Sequence, residues 1–283
     1  MSIRIITDST TDFTSAEAQQ LDVSIVPMRT IFGKTEYLDG IDLTHEQFYT
    51  MLEQSDELPT TSQPIPHDFE QVIRQAQEAG EASIIITIAE KLSGTYQSAE
   101  LAKKACGGKD IWVIDSETAT LAHRALVERA IELRDQGTPA EEIVHILEKE
   151  KKSIRLFAMV DTLEYLHKGG RLSRTSAIAG TLMKVKPLIT IRQGEIIPVG
   201  KARGSSKAYG ELFALTEKEG GIDFDKPFAL GYTGNRERLD QFEALFHERY
   251  KGRTPLVGSI GSAIGTHVGP GAVGLFFFAR EDN

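Results

Sequence analysis

The chain has 283 residues, 40% of them hydrophobic and 26% charged, enough for a buried core and about the size of two packed domains or one large one. Its 32 basic and 41 acidic side chains leave a net charge of −9, which argues against non-specific binding to nucleic acid or to an anionic membrane surface. A single cysteine, Cys106, excludes an internal disulfide and fits a reducing cytoplasm, and the longest apolar runs fall far short of a membrane span.

Met1 to Ile6 runs straight into a strand without the n- and h-regions of a signal peptide, so the expected location is the cytoplasm. Ile3 to Ile6 reads as a short buried strand, with the polar loop Thr7 to Asp12 at its carboxyl end. Thr14-Ser15-Ala16-Glu17 is a capping box opening a short helix, and Val23 to Met28 reads as a further strand. Tyr37-Leu38-Asp39-Gly40 is expected to be a turn, and Thr44-His45-Glu46-Gln47 is a second capping box. Leu58 to Pro66 contains three prolines, so it is extended or turned, and it carries the hydroxyls of Thr60, Thr61 and Ser62. Phe69, Val72, Ile73, Ala76 and Ala79 then mark an amphipathic helix ended by Gly80.

The stretch Ser83 to Ala105 is strand, tight loop and helix. Ile84 to Ile88 has the unbroken apolar character of a strand buried on both faces. Ser93 stands where the helix is expected to begin, beside Gly94, whose backbone can be approached closely. A helix start at the carboxyl end of a parallel strand offers free amides and suits an anionic head group. Ser93 can equally be a simple N-cap. Ile111 to Ile114 is one more strand, Leu121 to Leu133 a helix, and Thr138-Pro139-Ala140-Glu141 another helix start with the cap at Thr138. Strand and helix alternate throughout this half, which predicts a parallel sheet with helices on both faces and its polar loops gathered on one edge.

The pattern changes after about Lys152. Leu156 to Val160 is a strand and Asp161 to Lys168 a short helix closed by Gly169-Gly170. Pro187 to Ile191 and Glu195 to Val199 flank Arg192-Gln193-Gly194 as a hairpin. A helix follows from Ser205 to Glu219, then a strand at Phe228 to Tyr232, a helix at Arg238 to Tyr250, and strands at Pro255 to Gly258 and Val273 to Ala279. The fold class expected is therefore α/β: a parallel-sheet N-terminal domain over residues 1–155, and a C-terminal α+β domain with a mixed or antiparallel sheet over residues 156–283.

Gly269 to Gly274 matches G-x-G-x-x-G, but a strand follows where dinucleotide binding needs a helix, and the P-loop pattern is absent. The histidines show no metal-ligand spacing, so neither a metal nor a cofactor is expected. Gly265 to Gly271 reads as a glycine loop around His267, which either bonds an anion or faces water as a turn residue. Gly169-Gly170-Arg171-Leu172-Ser173-Arg174 and Lys201-Ala202-Arg203-Gly204-Ser205-Ser206 each set a cation beside glycine, for a phosphate or acidic partner or simply for solvent. Hydroxyls and glycines recur without strong acid–base machinery, a pattern of binding more than of catalysis.

Assembled in order, these pieces resemble the DegV family of bacterial fatty-acid-binding proteins over nearly the whole length: Thr7-Asp8-Ser9; Thr61-Ser62-Gln63-Pro64; Leu92-Ser93-Gly94-Thr95-Tyr96; Asp115-Ser116; Gly169-Gly170-Arg171; Gly265-Thr266-His267 with Gly269-Pro270-Gly271. Two features depart from the family pattern. Thr120, Ala122 and Arg124 stand where a Ser-x-Gly-x-Gly run is usual, and Ile65 stands where serine is common. The resemblance implies a two-domain protein holding one long-chain fatty acid in a tunnel between its domains. By position, Thr61 or Ser62 and Ser93 would hold the carboxylate, Gly94 and Thr95 would supply amides, and Thr266 and His267 would lie close by. The family includes the fatty-acid-presenting subunit of a bacterial fatty acid kinase, whose separate ATP-binding subunit phosphorylates the carboxylate. Arg203 would then sit near the acyl-phosphate, Arg171 would help dock that partner, and transient membrane contact would serve ligand exchange. The chain itself would be a carrier and not an enzyme. The competing expectation is a kinase- or transferase-type enzyme acting on a small polar substrate at the Ser93 and His267 loops. A carboxylate beside His267 would raise its pKa, while burial without a partner would lower it; the former predicts tighter binding near pH 6 than near pH 8.

Overall fold

The computed structural model describes residues 2–172 and 185–280. Ser173 and Arg174 of the glycine-flanked basic loop lie outside the described residues. The chain opens with β1 (Ile3–Asp8), a 3-10 turn at Ser9–Thr11, α1 (Ser15–Gln20) and β2 (Val23–Val26). Next come β3 (Arg29–Phe32), β4 (Thr35–Leu38), α2 (His45–Gln54), β5 (Thr60–Ser62) and α3 (Pro66–Glu78). They are followed by β6 (Ala82–Thr87), α4 (Thr95–Ala105), β7 (Ile111–Asp115), α5 (Thr120–Asp135) and α6 (Ala140–Glu150). The rest comprises β8 (Ile154–Met159), α7 (Glu164–Lys168), β9 (Val185–Arg192), β10 (Glu195–Arg203), α8 (Ser205–Lys218), β11 (Phe228–Tyr232), α9 (Glu237–Arg249), β12 (Leu256–Ser259), α10 (Ser262–Val268) and β13 (Val273–Phe278).

Four strands form a parallel sheet in the order β2-β1-β6-β7, and six form a mixed sheet in the order β10-β9-β8-β13-β11-β12. In the mixed sheet β11 and β12 run parallel and the other pairs antiparallel. These are the expected parallel sheet with helices and the expected mixed sheet. A third, antiparallel sheet of β4-β3-β5 sits within the first half.

Side-chain alternation explains the layering. Ile84 and Ile86 of β6 join the core shared with α5, while Ile85 joins the one under α3 and α4, so the strand needs an unbroken apolar run. In β8, Leu156 and Ala158 turn inward to the shared core, and Phe157 and Met159 turn outward under α8 and α9. Helix α5 touches β1 on one side and β8, β11 and β13 on the other. The shared core thus lies between the two sheets, with α5 as its common wall.

Both capping boxes form as expected: Thr14 with Glu17, and Thr44 with Gln47. The hairpin also forms, with Gln193 and Gly194 both at positive φ, the geometry a two-residue turn needs. Three local expectations are corrected. Tyr37 and Leu38 belong to β4, paired with β3, and the turn is Gly40 to Asp42, closed by a bridge between Asp39 and Leu43. The cap position of α6 is taken by Pro139, one residue after Thr138, because the proline's own extended backbone ends the loop. Of the glycine-rich stretch around His267, Gly265 to Val268 belong to helix α10, and only Gly269 to Gly271 form a turn, with both glycines at positive φ. Gly265 is there for space: a Cβ would lie 2.6 Å from Phe48 and from the Tyr49 hydroxyl, so α10 packs directly on α2.

Candidate functional site

Helix α10 is held at its start by the buried side-chain carboxyl groups of two aspartates from the first half of the chain. Asp39 accepts from Ser262 N at 3.0 Å, Ser262 Oγ at 2.6 Å and Ser9 Oγ at 2.8 Å. Asp12 accepts from Gly261 N and from Thr120 Oγ1, each at 2.8 Å. Burial drives the Asp12 pKa up to about 8, opposed by the Gly261 amide and assisted by the nearby Asp39 charge. So anchored, α10 delivers His267 to a point facing β5, where Thr61 Oγ1 lies 2.7 Å from His267 Nε2.

Ser93 reaches the same region from the loop before α4. It is not an N-cap: Gly94 holds the cap position, no side chain caps α4, and Ser93 Oγ pairs with Thr95 Oγ1 at 2.8 Å. The loop winds one turn through Ala89, with Leu92 N and Ser93 N both donating to Ala89 O, which delays the helix to Thr95. Gly94 is again a matter of space, since a Cβ would lie 2.2 Å from the Gln63 carboxamide. Arg171, after α7, donates from Nε to Leu92 O at 3.2 Å and from a terminal nitrogen to Gly169 O at 2.6 Å. Among the described residues no carboxylate pairs with it, and burial lowers its pKa.

Thr61, Ser93, Arg171 and His267 ring one end of a cavity between the sheets. The space outside protein atoms in this region, its opening to solvent included, is about 800 Å³. Its body is lined by Leu156, Ala158, Ile189, Ile196, Gly274 and Phe276, among others. Burial first, and the Arg171 charge second, push the His267 pKa down to about 4, so the ring is neutral. Two polar atoms here, His267 Nδ1 and Thr266 Oγ1, are buried with no hydrogen-bond partner among the described residues. Among the described residues no group of three or more His, Cys, Asp or Glu side chains is placed to hold a metal ion, and no helix is long and apolar enough to cross a membrane.

The structure brings Thr61, Ser93, Arg171 and His267 together and leaves other candidates at a distance. Thr95 is fully buried behind Ser93, and Thr266 is buried inside α10. Ser62 and Gly94 neighbour the cavity in sequence without lining it. Arg203 is exposed at the end of β10, outside the lining. One lining group had no clear signal in the sequence: Thr10, in the turn after β1. Asp8 and His123 fix its hydroxyl, at 2.6 and 3.2 Å. His123 is 116 residues from Thr7, which it also contacts, so only the fold unites them.

The arrangement suits a ligand with one anionic head group and a long apolar body. A cation with no acidic partner among the described residues, two hydroxyls and an imidazole converge at one end, and the rest of the lining is mainly apolar, with the hydroxyls of Thr10 and Thr120 among it. Residues 2–280 match the family described as "uncharacterised protein, DegV family". A DegV domain-containing protein of Caldanaerobacter subterraneus subsp. tengcongensis is 35% identical over 276 residues, covering 97% of this chain and 98% of that one. A solved DegV family protein from Thermus thermophilus, described by its fatty acid binding, superposes with a TM-score of 0.89 at 31% identity, covering 99% of this chain and 100% of the other. The Bacillus subtilis protein DegV, described as a fatty acid binding protein, gives 0.87 at 30% identity over 99% of this chain and 100% of its own. A stearic acid-binding protein from Eubacterium ventriosum gives 0.87 at 27% identity over 98% and 97%. The chain belongs to the DegV family.

Proposed function

We propose that this chain binds one long-chain fatty acid, with the acyl chain in the cavity between the sheets and the carboxylate among Thr61, Ser93, Arg171 and His267. The observation that carries this is the division of the cavity into a polar end, whose guanidinium has no carboxylate partner among the described residues, and a mainly apolar body. The fatty acids bound by solved relatives support it. Gly94 and Thr95 would contribute from the start of α4, Ser62 from beside Thr61, and Thr266 from within α10. We divide the chain into domains at residues 1–155 and 156–283, with the ligand between them. Burying a chain of about 16 carbons at ~0.8 kcal/mol per methylene gives on the order of 12 kcal/mol gross, and the entropic costs of binding remove several. Tight binding therefore needs no cofactor.

The chain would act as a carrier in the cytoplasm, presenting the carboxylate to a separate ATP-binding kinase subunit. Arg203, exposed at the end of β10, would meet the phosphate or the partner, and Arg171 would help dock it. Exchange of ligand would take place during transient membrane contact. Native mass spectrometry of freshly purified protein, followed by solvent extraction, tests the binding. A co-purifying fatty acid at one per chain is expected; an apo mass from lipid-rich cells, with no uptake of added palmitate, would favour an enzyme acting on a small polar substrate. Addition of a cognate kinase subunit with ATP should then yield acyl-phosphate, and Arg203→Ala should slow that step while leaving binding intact.

A further inference from the structure

The inner face of the mixed sheet carries small residues at one level across four strands. Ala158 of β8 pairs with Gly274 of β13, Gly274 with Gly231 of β11, and Gly231 with Gly258 of β12. Glycine inside strands weakens them, so a sheet whose only need was a filled core would carry branched side chains here. The cavity runs over the first two of these positions, Ala158 and Gly274. Beyond them two side chains lie flat on the glycine backbone. A Cβ at Gly274 would meet the Phe276 ring at 2.9 Å, and one at Gly231 would meet it at 2.8 Å. A Cβ at Gly258 would meet Leu121 of α5 at 2.9 Å, and Leu121 also covers Gly231 at 2.8 Å. Phe276 lines the cavity, and Leu121 stands behind it, fully buried.

We propose that the Phe276 ring, backed by Leu121, is the plug that sets the longest acyl chain this protein accepts. The ring is rooted one level deeper, beside Leu156, and leans back over Gly274 and Gly231. It blocks a trough that otherwise continues across the sheet toward β12. Each strand crossed adds about 4.8 Å of trough. This inference rests on the fatty-acid reading above and identifies its length determinant.

The test is competition by myristate, palmitate, stearate, arachidate and behenate against a bound fluorescent fatty acid, on delipidated protein. For Phe276→Ala the preferred ligand is expected to lengthen by about two to four carbons, one strand spacing. Leu121→Ala alone leaves the preference unchanged, because Phe276 still closes the trough, and the double variant lengthens it further. Phe276→Leu, which keeps most of the core volume, covers the case in which the alanine variant does not fold, and lengthens it by about one carbon. Gly274→Ala, which crowds the ring from the cavity side, shifts the preference to shorter chains. Folded Phe276 variants with the wild-type preference would overturn the plug while leaving fatty-acid binding in place. A wild-type protein that binds none of the series would remove the underlying reading, and the plug with it.

Discussion

In the proposed site, His267 would set how the polar end of the cavity responds to pH. Burial and the Arg171 charge hold its pKa at about 4, so the unliganded ring is neutral at physiological pH. The sequence-based expectation set a bound carboxylate, which raises the value, against burial, which lowers it, and did not include Arg171, which comes from a different element. A bound carboxylate pulls the pKa upward from this low starting point. Affinity then gains only over the interval where the complex holds a proton that the free protein has lost, from about 4 up to the raised value. Binding of a soluble fluorescent fatty acid is therefore expected to be flat between about pH 7 and pH 8 and to tighten only below about pH 6. His267→Gln should abolish the rise; a strong change above pH 7 in the wild type would mean that the ring is charged in the complex at neutral pH. The position of the ring depends in turn on Gly169. A Cβ there would lie 2.3 Å from His267 Nδ1, although its φ of −74° is open to any residue. Gly169→Ala is expected to turn the imidazole away from Thr61 and to cost about tenfold or more in affinity, the worth of one hydrogen bond to a charged group. Its thermal stability should stay close to wild type, and an unchanged affinity would release His267 from the site.

Among the elements, α10 joins the site to the rest of the chain, and it was also the hardest to read. Three glycines within Gly265 to Gly271 look like a loop in sequence. The helix forms because Asp39 and Asp12, more than 200 residues earlier, satisfy its first amides, contacts that periodicity does not reveal. Strands β3 and β4 escaped notice for a related reason. They are four residues each and only partly buried, so their apolar alternation is too short to register. By contrast, β6, the two capping boxes and the β9–β10 hairpin were legible because their signals are local and chemical: a buried apolar run, a hydroxyl three residues before Glu or Gln, and a turn residue that accepts positive φ. Of the candidate site, Ser93 and His267 stand out by their glycine-flanked context and take a role, with Thr61, from the family resemblance, whereas Thr10 and the Asp12 anchor need the fold. The Asp12 anchor carries its own prediction. Its folded pKa of about 8 lies above the ordinary 3.8, so the folded chain keeps a proton there that the unfolded chain has released. The stability this contributes is complete below about pH 4 and is lost as pH rises toward 8, at up to ~1.4 kcal/mol per pH unit. Denaturant unfolding at pH 5, 6.5 and 8 should show that decline in the wild type, and Asp12→Asn should flatten it. Parallel slopes in the two proteins would place the titration elsewhere.

At the scale of the whole molecule, the shared core between the two sheets has a hollow where a compact protein would have side chains. Ile84 and Leu121 pack solidly on one side, while Leu156, Ile189 and Ile196 on the other face open space. Closely packed interiors gain dispersion energy that a hollow forgoes, so the empty protein is less stable than its layers would otherwise make it. A ligand that fills the hollow binds the folded chain only, and stabilises it by mass action: at a free concentration 100 times Kd the gain is about 2.7 kcal/mol. For 283 residues unfolding together, at roughly 2.1 cal/mol/K of unfolding entropy per residue, that gain corresponds to a rise of about 5 °C in Tm. Differential scanning calorimetry of delipidated protein, then of the same sample reloaded with palmitate, is expected to show that rise. The rise should follow chain length, growing while each added methylene is buried and stopping once the chain reaches the Phe276 ring. If delipidated and reloaded protein melt together, the fatty acid does not occupy the hollow, and the stability of the two sheets is independent of what lies between them.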